Sequence, residues 1–193
     1  MPEDTPTNDA LPLSRVIHIA LGSNLGEPLR QLREAAAHLQ ALTSHPIRLS
    51  TPWLTTPRDC PEGSPEFANA VAELVLPEGW TPETLLTRCQ DIERQCGRQP
   101  KKVVNAARLL DLDLIAFGQE TRRTARLVLP HPRAHQRFFV LAPLAELAPN
   151  LLLPGHQHTV REQLNQCEPD PAARRLSPFD WFTLPVEQKS PVD

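Results

Sequence analysis

The chain contains no tyrosine, and aromatic residues make up only 5% of its 193 residues. It has no apolar run near the ~18 residues that a membrane-spanning helix needs, so no such helix is expected. Its acidic N-terminal residues lack the basic start and apolar stretch of a secretory signal. These absences predict a cytoplasmic protein, and the apolar share of 40% is typical of a globular domain.

Cysteine is scarce, and its spacing does not indicate a metal site. Cys60, Cys89, Cys96 and Cys167 form no C-x-x-C pair and no zinc-like set. We therefore expect reduced thiols, as is usual in the cytoplasm.

The common glycine-rich phosphate loops are also missing. The segment containing Gly22 and Gly26 lacks the Lys-Ser/Thr pair of a P-loop, and the sequence has no G-x-G-x-x-G. No Ser-His-Asp or Cys-His set can be chosen from spacing. If the protein binds a nucleotide, arginine side chains must hold the phosphates, which they contact in a bidentate manner.

The net charge of −3 conceals an uneven distribution. Residues 88–137 contain eleven Lys or Arg and five Asp or Glu, which gives this segment a charge of +6 and leaves −9 for the remainder. A basic stretch in an acidic chain indicates a local anion site rather than a surface for polyanions. A solvated basic loop would have the same composition.

Hydrophobic periodicity and turn residues predict a strand at 16–20, a helix at 28–43, and strands at 47–53 and 67–76. Thr81 and Gly97 are residue types that begin and end helices, so a second helix is expected between them. A strand at 109–117, an extended piece at 127–129 and a helix at 135–147 complete the pattern. We predict an α+β fold, with a ferredoxin-like β-α-β-β-α-β core, a mainly antiparallel sheet and an extra C-terminal helix.

Proline makes up about twice its usual share of the sequence. Eight of the 22 prolines lie in residues 1–14 and 169–193. We expect these two segments to form irregular tails on either side of a domain at 15–168.

The strand predicted at 109–117 contains two aspartates. Side chains alternate in a strand, so Asp111 and Asp113 share one face, while Leu110, Leu112 and Leu114 point to the other. Neighbouring carboxylates repel each other, and their oxygens suit Mg²⁺ together with substrate phosphates. A solvent-facing edge with two exposed acids is the simpler alternative. The basic segments on both sides favour the metal and phosphate interpretation.

Three further polar features are ambiguous from the residues alone. Asn69 interrupts an apolar strand, where a buried amide would serve either structure or ligand recognition. His131 lies beside several cations and could donate to a phosphate, although a lone loop histidine is more often a surface residue. His156 and His158 do not indicate a metal site, because no acid or cysteine completes the pair.

Several short segments form a specific combination when they are taken in order along the chain. They are Ile19-Ala20-Leu21-Gly22-Ser23-Asn24-Leu25-Gly26, Trp53-x-Thr55-x-Pro57, Phe67-x-Asn69-Ala70-Val71, Ile92-Glu93-x-x-x-Gly97-Arg98, Arg108-x-x-Asp111-Leu112-Asp113-Leu114, Leu129-Pro130-His131-Pro132-Arg133, and Arg137-x-Phe139-Val140-Leu141-x-Pro143-Leu144. Over about residues 15–165, this combination resembles the 6-hydroxymethyl-7,8-dihydropterin pyrophosphokinase family of folate synthesis.

The resemblance implies transfer of a pyrophosphoryl group from ATP to the pterin hydroxymethyl, with AMP as the second product. It implies a monomer that binds ATP and hydroxymethyldihydropterin, with no nucleic acid and no membrane partner. Two Mg²⁺ ions would be held by Asp111 and Asp113, with Arg98 and Arg108 as further catalytic groups. The ATP contacts it implies are Gln90, Glu93, Arg98, Leu114, Arg126, His131, His135 and Arg137. The pterin contacts it implies are Thr55, Thr56, Pro57, Phe67, Asn69 and Phe139.

The sequence departs from the pattern of this family in the basic loop. Asn105 stands where many members have tryptophan, and Pro100 where arginine is common. These departures leave open a catalytically weakened relative that keeps the fold and the pterin site. An RNA-binding module is a further alternative for a ferredoxin-like sheet with basic loops, but the few aromatic residues and the negative net charge argue against it.

Overall fold

A computed structural model describes residues 16–58, 60–97 and 108–177 of the chain. The expectations for the N-terminal tail, for Arg98 and the basic loop at 98–107, and for residues 178–193 lie outside this range. The elements, in chain order, are β1 (Val16–Ser23), α1 (Pro28–Gln40), β2 (Arg48–Leu49), β3 (Trp53–Thr55), β4 (Phe67–Val75), α2 (Pro82–Gln95), β5 (Asp111–Phe117), β6 (Arg122–Arg123), β7 (Val128–Leu129), α3 (Phe138–Leu147), α4 (Val160–Gln166) and β8 (Arg174–Arg175).

The main sheet has the order β5-β1-β4-β3-β8, and β2 also pairs with β4. All of its pairings are antiparallel. The central strand β1 is rich in β-branched and apolar residues, and its ladder with β4 extends from Val16 opposite Val75 to Ser23 opposite Ala68. These findings confirm the α+β class and the mainly antiparallel sheet.

Helices cover both faces of the sheet because alternate strand residues bury apolar side chains on each face. On one face, Ile17, Ile19 and Leu21 of β1 pack in a core cluster with residues of α1 and α2. On the other face, Val71 and Ile115 pack against α3 and the start of α4. No helix in the described part of the chain has both the length and the apolar character that a membrane crossing requires.

Helix α2 begins and ends where the sequence predicts. The Thr81 side chain accepts a hydrogen bond from the Thr84 N–H, which satisfies a free donor at the first turn. After the helix, Gly97 has a positive φ of 90°, a conformation in which a side chain would be strained. The two signals fix the length of the helix that carries Gln90 and Glu93.

The strand predicted at 47–53 is instead divided into β2 and β3. The Ser50 hydroxyl accepts the hydrogen bond from the Val71 N–H at 2.9 Å, so a side chain replaces a backbone carbonyl in the ladder. Pro52 follows and has no N–H to donate.

The predictions for the C-terminal third were less accurate. The helix predicted from His135 begins at Phe138, because Ala134–Gln136 form a 3₁₀ turn. Helix α4 was not predicted, although Thr159 and Glu162 form a capping box at its start. Part of the tail predicted as irregular forms β8, which pairs with β3.

Candidate active site

A cavity of about 730 Å³ lies where the ends of several strands of the main sheet meet. The C-terminal ends of β1 and β3 and the N-terminal ends of β4 and β5 meet there, and α2, α3 and the loop after β7 complete the walls. Most of the residues proposed from the sequence line this one cavity: Thr55, Thr56, Phe67, Asn69, Gln90, Glu93, Arg108, Asp111, Asp113, His131, Arg137 and Phe139.

The two aspartates of β5 both line the cavity, as strand alternation predicts. Their neighbours across the ladder with β1 are small: Gly22 is opposite Asp111, and Ala20 is opposite Asp113. Cross-strand neighbours share a face of the sheet, so the small residues leave open space in front of the carboxylates.

Among the described residues, the two carboxylates have unlike neighbours. Arg108 Nη1 lies 2.5 Å from Asp111 Oδ2, whereas Asp113 Oδ2 lies 4.0 Å from His131 Nε2. Burial and the adjacent charge of Asp111 raise the pKa of Asp113, against the opposing effects of His131, Arg137 and Arg108. A cation bound beside Asp113 would lower this pKa again.

His131 is held in place at this site by its own backbone. Its N–H donates to the Ile115 carbonyl of β5 at 2.9 Å, and its Nδ1 accepts from the Arg133 N–H at 3.2 Å. Burial lowers the pKa of His131, and the nearby Arg137 and Arg133 lower it further, against the raising effect of Asp113. A neutral imidazole with Nδ1 as acceptor carries its proton on Nε2, which can donate to an anionic ligand.

Asn24, which follows β1 directly, fixes the main chain at Arg108. Its Oδ1 accepts from the Arg108 N–H at 2.7 Å, and its own N–H donates to the Arg108 carbonyl at 3.0 Å. Its Nδ2 donates to the Pro65 carbonyl, which joins the loop before β4 to the same point. The residue is only 3% exposed, so these partners cannot be replaced readily by water. Its motif was noted in the sequence, but this role was not.

Asn69 of β4 is fixed in orientation on the other side of β1 from the aspartates, because Gly22 pairs with Asn69 on one side and with Asp111 on the other. Its Nδ2 donates to Thr55 Oγ1 at 2.8 Å, and the residue is 5% exposed. A β-carbon at Gly22 would lie 3.3 Å from Asn69 Oδ1, so the absence of a side chain at Gly22 makes room for the amide. The amide therefore serves the structure and also faces the cavity.

Glu93 has a structural role in addition to lining the cavity. Its Oε1 accepts from the Leu112 N–H at 2.8 Å, and the residue is 3% exposed. The bond ties α2 to β5 between the two aspartates.

Arg137 packs over the ring of Phe139, with its guanidinium carbon 5.3 Å from the ring centroid. This contact joins the cationic and the aromatic walls.

Four residues assigned to the site from the sequence do not line the cavity. Leu114 is buried in the main core, because it alternates with Asp113 and points to the other face of β5. His135 lies instead in a second pocket, with its ring centroid 4.9 Å from that of His156. Arg126 is exposed on the loop between β6 and β7, and Pro57 is half-buried beside the wall. Arg98 lies outside the described residues.

The cavity also has walls that the sequence did not indicate. Leu86 and Arg94 of α2 extend the wall on either side of Gln90, whereas Arg133, which also lines the cavity beside His131, belongs to a motif quoted from the sequence. Arg58 and Cys60 line it in the loop after β3. These residues have no local pattern that separates them from ordinary surface residues, so only the tertiary structure identifies them.

An α+β domain with paired carboxylates and several arginines around one cavity has the features of a phosphoryl-transfer enzyme. Comparison with known proteins agrees with this class. The model of the 7,8-dihydro-6-hydroxymethylpterin-pyrophosphokinase family matches residues 18–149, which is more than half of the chain. The chain therefore belongs to this family of pyrophosphokinases.

Individual relatives and solved structures are similar to the chain. The 2-amino-4-hydroxy-6-hydroxymethyldihydropteridine pyrophosphokinase of Haemophilus influenzae is 37% identical over 141 residues, which cover 72% of this chain and 86% of that protein. The protein of the same name in Pseudomonas aeruginosa is 37% identical over 142 residues, covering 74% and 86%. The wild-type HPPK-DHPS structure of Plasmodium falciparum shares the fold, with a TM-score of 0.61 at 13% identity, over 78% of this chain and 44% of that one.

We predict that Asn24→Ala will reduce both stability and turnover. The Arg108 N–H would lose its side-chain acceptor, and an unsatisfied buried donor costs about 1–3 kcal/mol. Urea unfolding measures the free energy of unfolding, and steady-state assays of variant protein that is still folded measure turnover. Wild-type stability in this variant would contradict the role assigned to Asn24.

Proposed function

We propose that the residues of this cavity transfer the pyrophosphoryl group of ATP to the hydroxymethyl oxygen of 6-hydroxymethyl-7,8-dihydropterin, as a step of folate biosynthesis. The observation that carries the assignment of roles is that one cavity is lined by two unlike groups of side chains, one on each side of β1. Paired carboxylates lie on β5 among cations, and a fixed amide lies on β4 together with an aromatic ring. A polyanion and a flat heterocycle fit side by side against these two groups, which we call the nucleotide end and the pterin end.

The nucleotide end suits a triphosphate bound with magnesium. Asp111 and Asp113 supply hard oxygen ligands. Burial and the charge of Asp111 raise the pKa of Asp113, and a divalent cation bound beside it would lower that pKa. No group of three or more His, Cys, Asp or Glu side chains within the described ranges could hold a metal. Phosphate oxygens and waters would therefore complete the coordination of the two ions that we expect. When bound, the ions neutralise phosphate charge during transfer.

The pterin end suits a flat ring with a polar edge. Phe139 and Phe67 supply apolar walls for its faces. The Asn69 amide, held by Thr55, faces the ring edge without having to be ordered on binding. The cost of fixing the recognition group is thus already met in the free protein.

Catalysis in this arrangement depends on position and charge. The hydroxymethyl oxygen attacks the β-phosphorus, the bond from that phosphorus to the oxygen bridging to the α-phosphate breaks, and AMP leaves with the electron pair. Arg108, Arg137 and His131 face the region where negative charge develops. Arg108 pairs with Asp111 in the free protein, so its guanidinium is available to the phosphates once a cation replaces it there. We assign no general base, and the hydroxyl proton is released to solvent.

The setting of the enzyme is also proposed. The free thiols of Cys89 and Cys167 agree with a reducing compartment, which supports the cytoplasm. We also propose a monomer that acts on small molecules, as the resemblance to the family implies.

We predict that Asp113→Asn will abolish magnesium-dependent turnover. The substitution keeps the shape of the side chain and removes one charge, and turnover should fall at least about 100-fold. In EDTA, binding of ATP should be unchanged or tighter, because one carboxylate fewer repels the triphosphate. AMP formation with and without the pterin measures the first effect, and calorimetry measures the second.

The control for this experiment is Glu34→Gln, which removes a carboxylate that pairs with Arg30 on α1. It should change neither measurement. Normal magnesium-dependent turnover of Asp113→Asn would contradict the metal assignment. A wild-type protein that forms no AMP with the pterin would indicate the catalytically weakened relative.

We further predict that Asn69→Ala will weaken recognition of the pterin and spare that of ATP. Loss of hydrogen bonds from a buried, ordered amide should raise the KM for the pterin about 10-fold or more. The KM for ATP should stay within about twofold, because the triphosphate lies at the other end of the cavity. Asn165→Ala, at an exposed position of α4, is the matched control. Equal losses for both substrates would contradict the division of the cavity.

A further inference from the structure

The C-terminal strap, residues 168–176, runs antiparallel along β3 and the loop that follows it. Strand β8 within the strap pairs Arg175 with Trp53 and Arg174 with Leu54. The Leu176 N–H donates to the Pro52 carbonyl at 2.9 Å. The strap therefore covers the open side of β3, the strand that ends at the cavity wall.

In the residues that precede β8, the strap contacts the cavity wall itself. Asp170 Oδ2 accepts from the Thr56 N–H at 2.8 Å and from Thr56 Oγ1 at 3.0 Å. Glu168 pairs with Arg58 at 3.0 Å. Both Thr56 and Arg58 line the cavity. The strap thus holds two residues of the loop after β3 that line the cavity.

The strap is anchored independently of this loop. Arg174 makes two hydrogen bonds to the Glu66 carboxylate, at 2.7 and 2.8 Å. Arg175 lies 3.2 Å from Glu146 of α3, which also accepts from the Trp53 indole N–H at 2.7 Å. Because these contacts are made with Glu66, just before β4, and with Glu146 of α3, the position of the strap does not depend on the loop that it holds.

The contacts with the wall differ in strength. Arg58 and Glu168 are both exposed, and such ion pairs contribute about 0–1 kcal/mol. Asp170 accepts two hydrogen bonds through one charged oxygen, one of them from the backbone, and its Oδ1 accepts from the Ala172 N–H. These bonds are also exposed, but they are charge-assisted, and bonds of this type are about twice as strong as neutral ones. Asp170 is therefore the main fixed point.

Thr56 is adjacent to Thr55, whose hydroxyl accepts from the Asn69 amide. A connected path thus leads from Asp170 through Thr56 and Thr55 to the amide at the pterin end. We propose that Asp170 is a positioning residue for the pterin substrate, which keeps this part of the cavity wall in its binding geometry before the substrate arrives. The proposal rests on the proposed function, and it concerns a segment beyond residues 18–149, the part matched by the family model.

The test is Asp170→Ala in the full-length chain, with steady-state kinetics for both substrates. The KM for the pterin should rise about fivefold or more, because a wall that is not held must be ordered on binding. The kcat and the KM for ATP should stay within about twofold. Asp170→Asn keeps one side-chain oxygen as acceptor and should restore much of the pterin affinity.

Glu162→Ala separates positioning from general destabilisation. Glu162 caps α4 by accepting from the Thr159 N–H at 2.7 Å, so its loss should lower the melting temperature without changing the KM for the pterin. An unchanged pterin KM in Asp170→Ala would overturn the proposal, as would an equal rise in Glu162→Ala. A wild-type chain without pyrophosphoryl transfer would instead contradict the proposed function and the strap proposal with it.

Discussion

The site depends on two like charges that the backbone places side by side. Asp111 and Asp113 share one face of β5 because of strand alternation, and they repel each other in a partly buried setting. Among the described residues, Arg108 pairs with Asp111, and the pKa of Asp113 stays raised by burial and by the charge of Asp111. Under the proposed function, a metal-bound triphosphate would bring positive charge to the pair, whereas a free triphosphate would increase the repulsion.

The fold creates this arrangement where the ends of several strands meet. In the antiparallel order of the main sheet, the ends of β1, β3, β4 and β5 meet, so residues far apart in the chain line one cavity. Small residues on β1 leave the space, and the Asn24 and Glu93 hydrogen bonds fix the start of β5 from two sides. The backbone that carries the paired charges is therefore held by two buried side chains.

The sequence predicted those features that have a local physical cause. Thr81 and Gly97 determine the ends of α2, and alternation on β5 brings both aspartates to the cavity. The prediction failed where a distant contact decides the outcome. The Ser50 side chain accepts a ladder hydrogen bond from the Val71 N–H, which divides the predicted strand. Strand β8 is only two residues long and pairs with residues more than a hundred positions earlier. Leu114 was assigned to the site by resemblance, although the same alternation directs it to the core. The start of α4 had a capping signal in Thr159 and Glu162 that could have been used.

A crystal structure with a non-hydrolysable ATP analogue, Mg²⁺ and hydroxymethyldihydropterin tests the central claim most directly. We expect carboxylate oxygens of Asp111 and Asp113 at about 2.0–2.1 Å from magnesium, the usual distance for oxygen ligands. The pterin should lie between the nucleotide phosphates and the Asn69 amide. Two carboxylates that face away from the nucleotide, or that contact only arginine in the complex, would contradict the account.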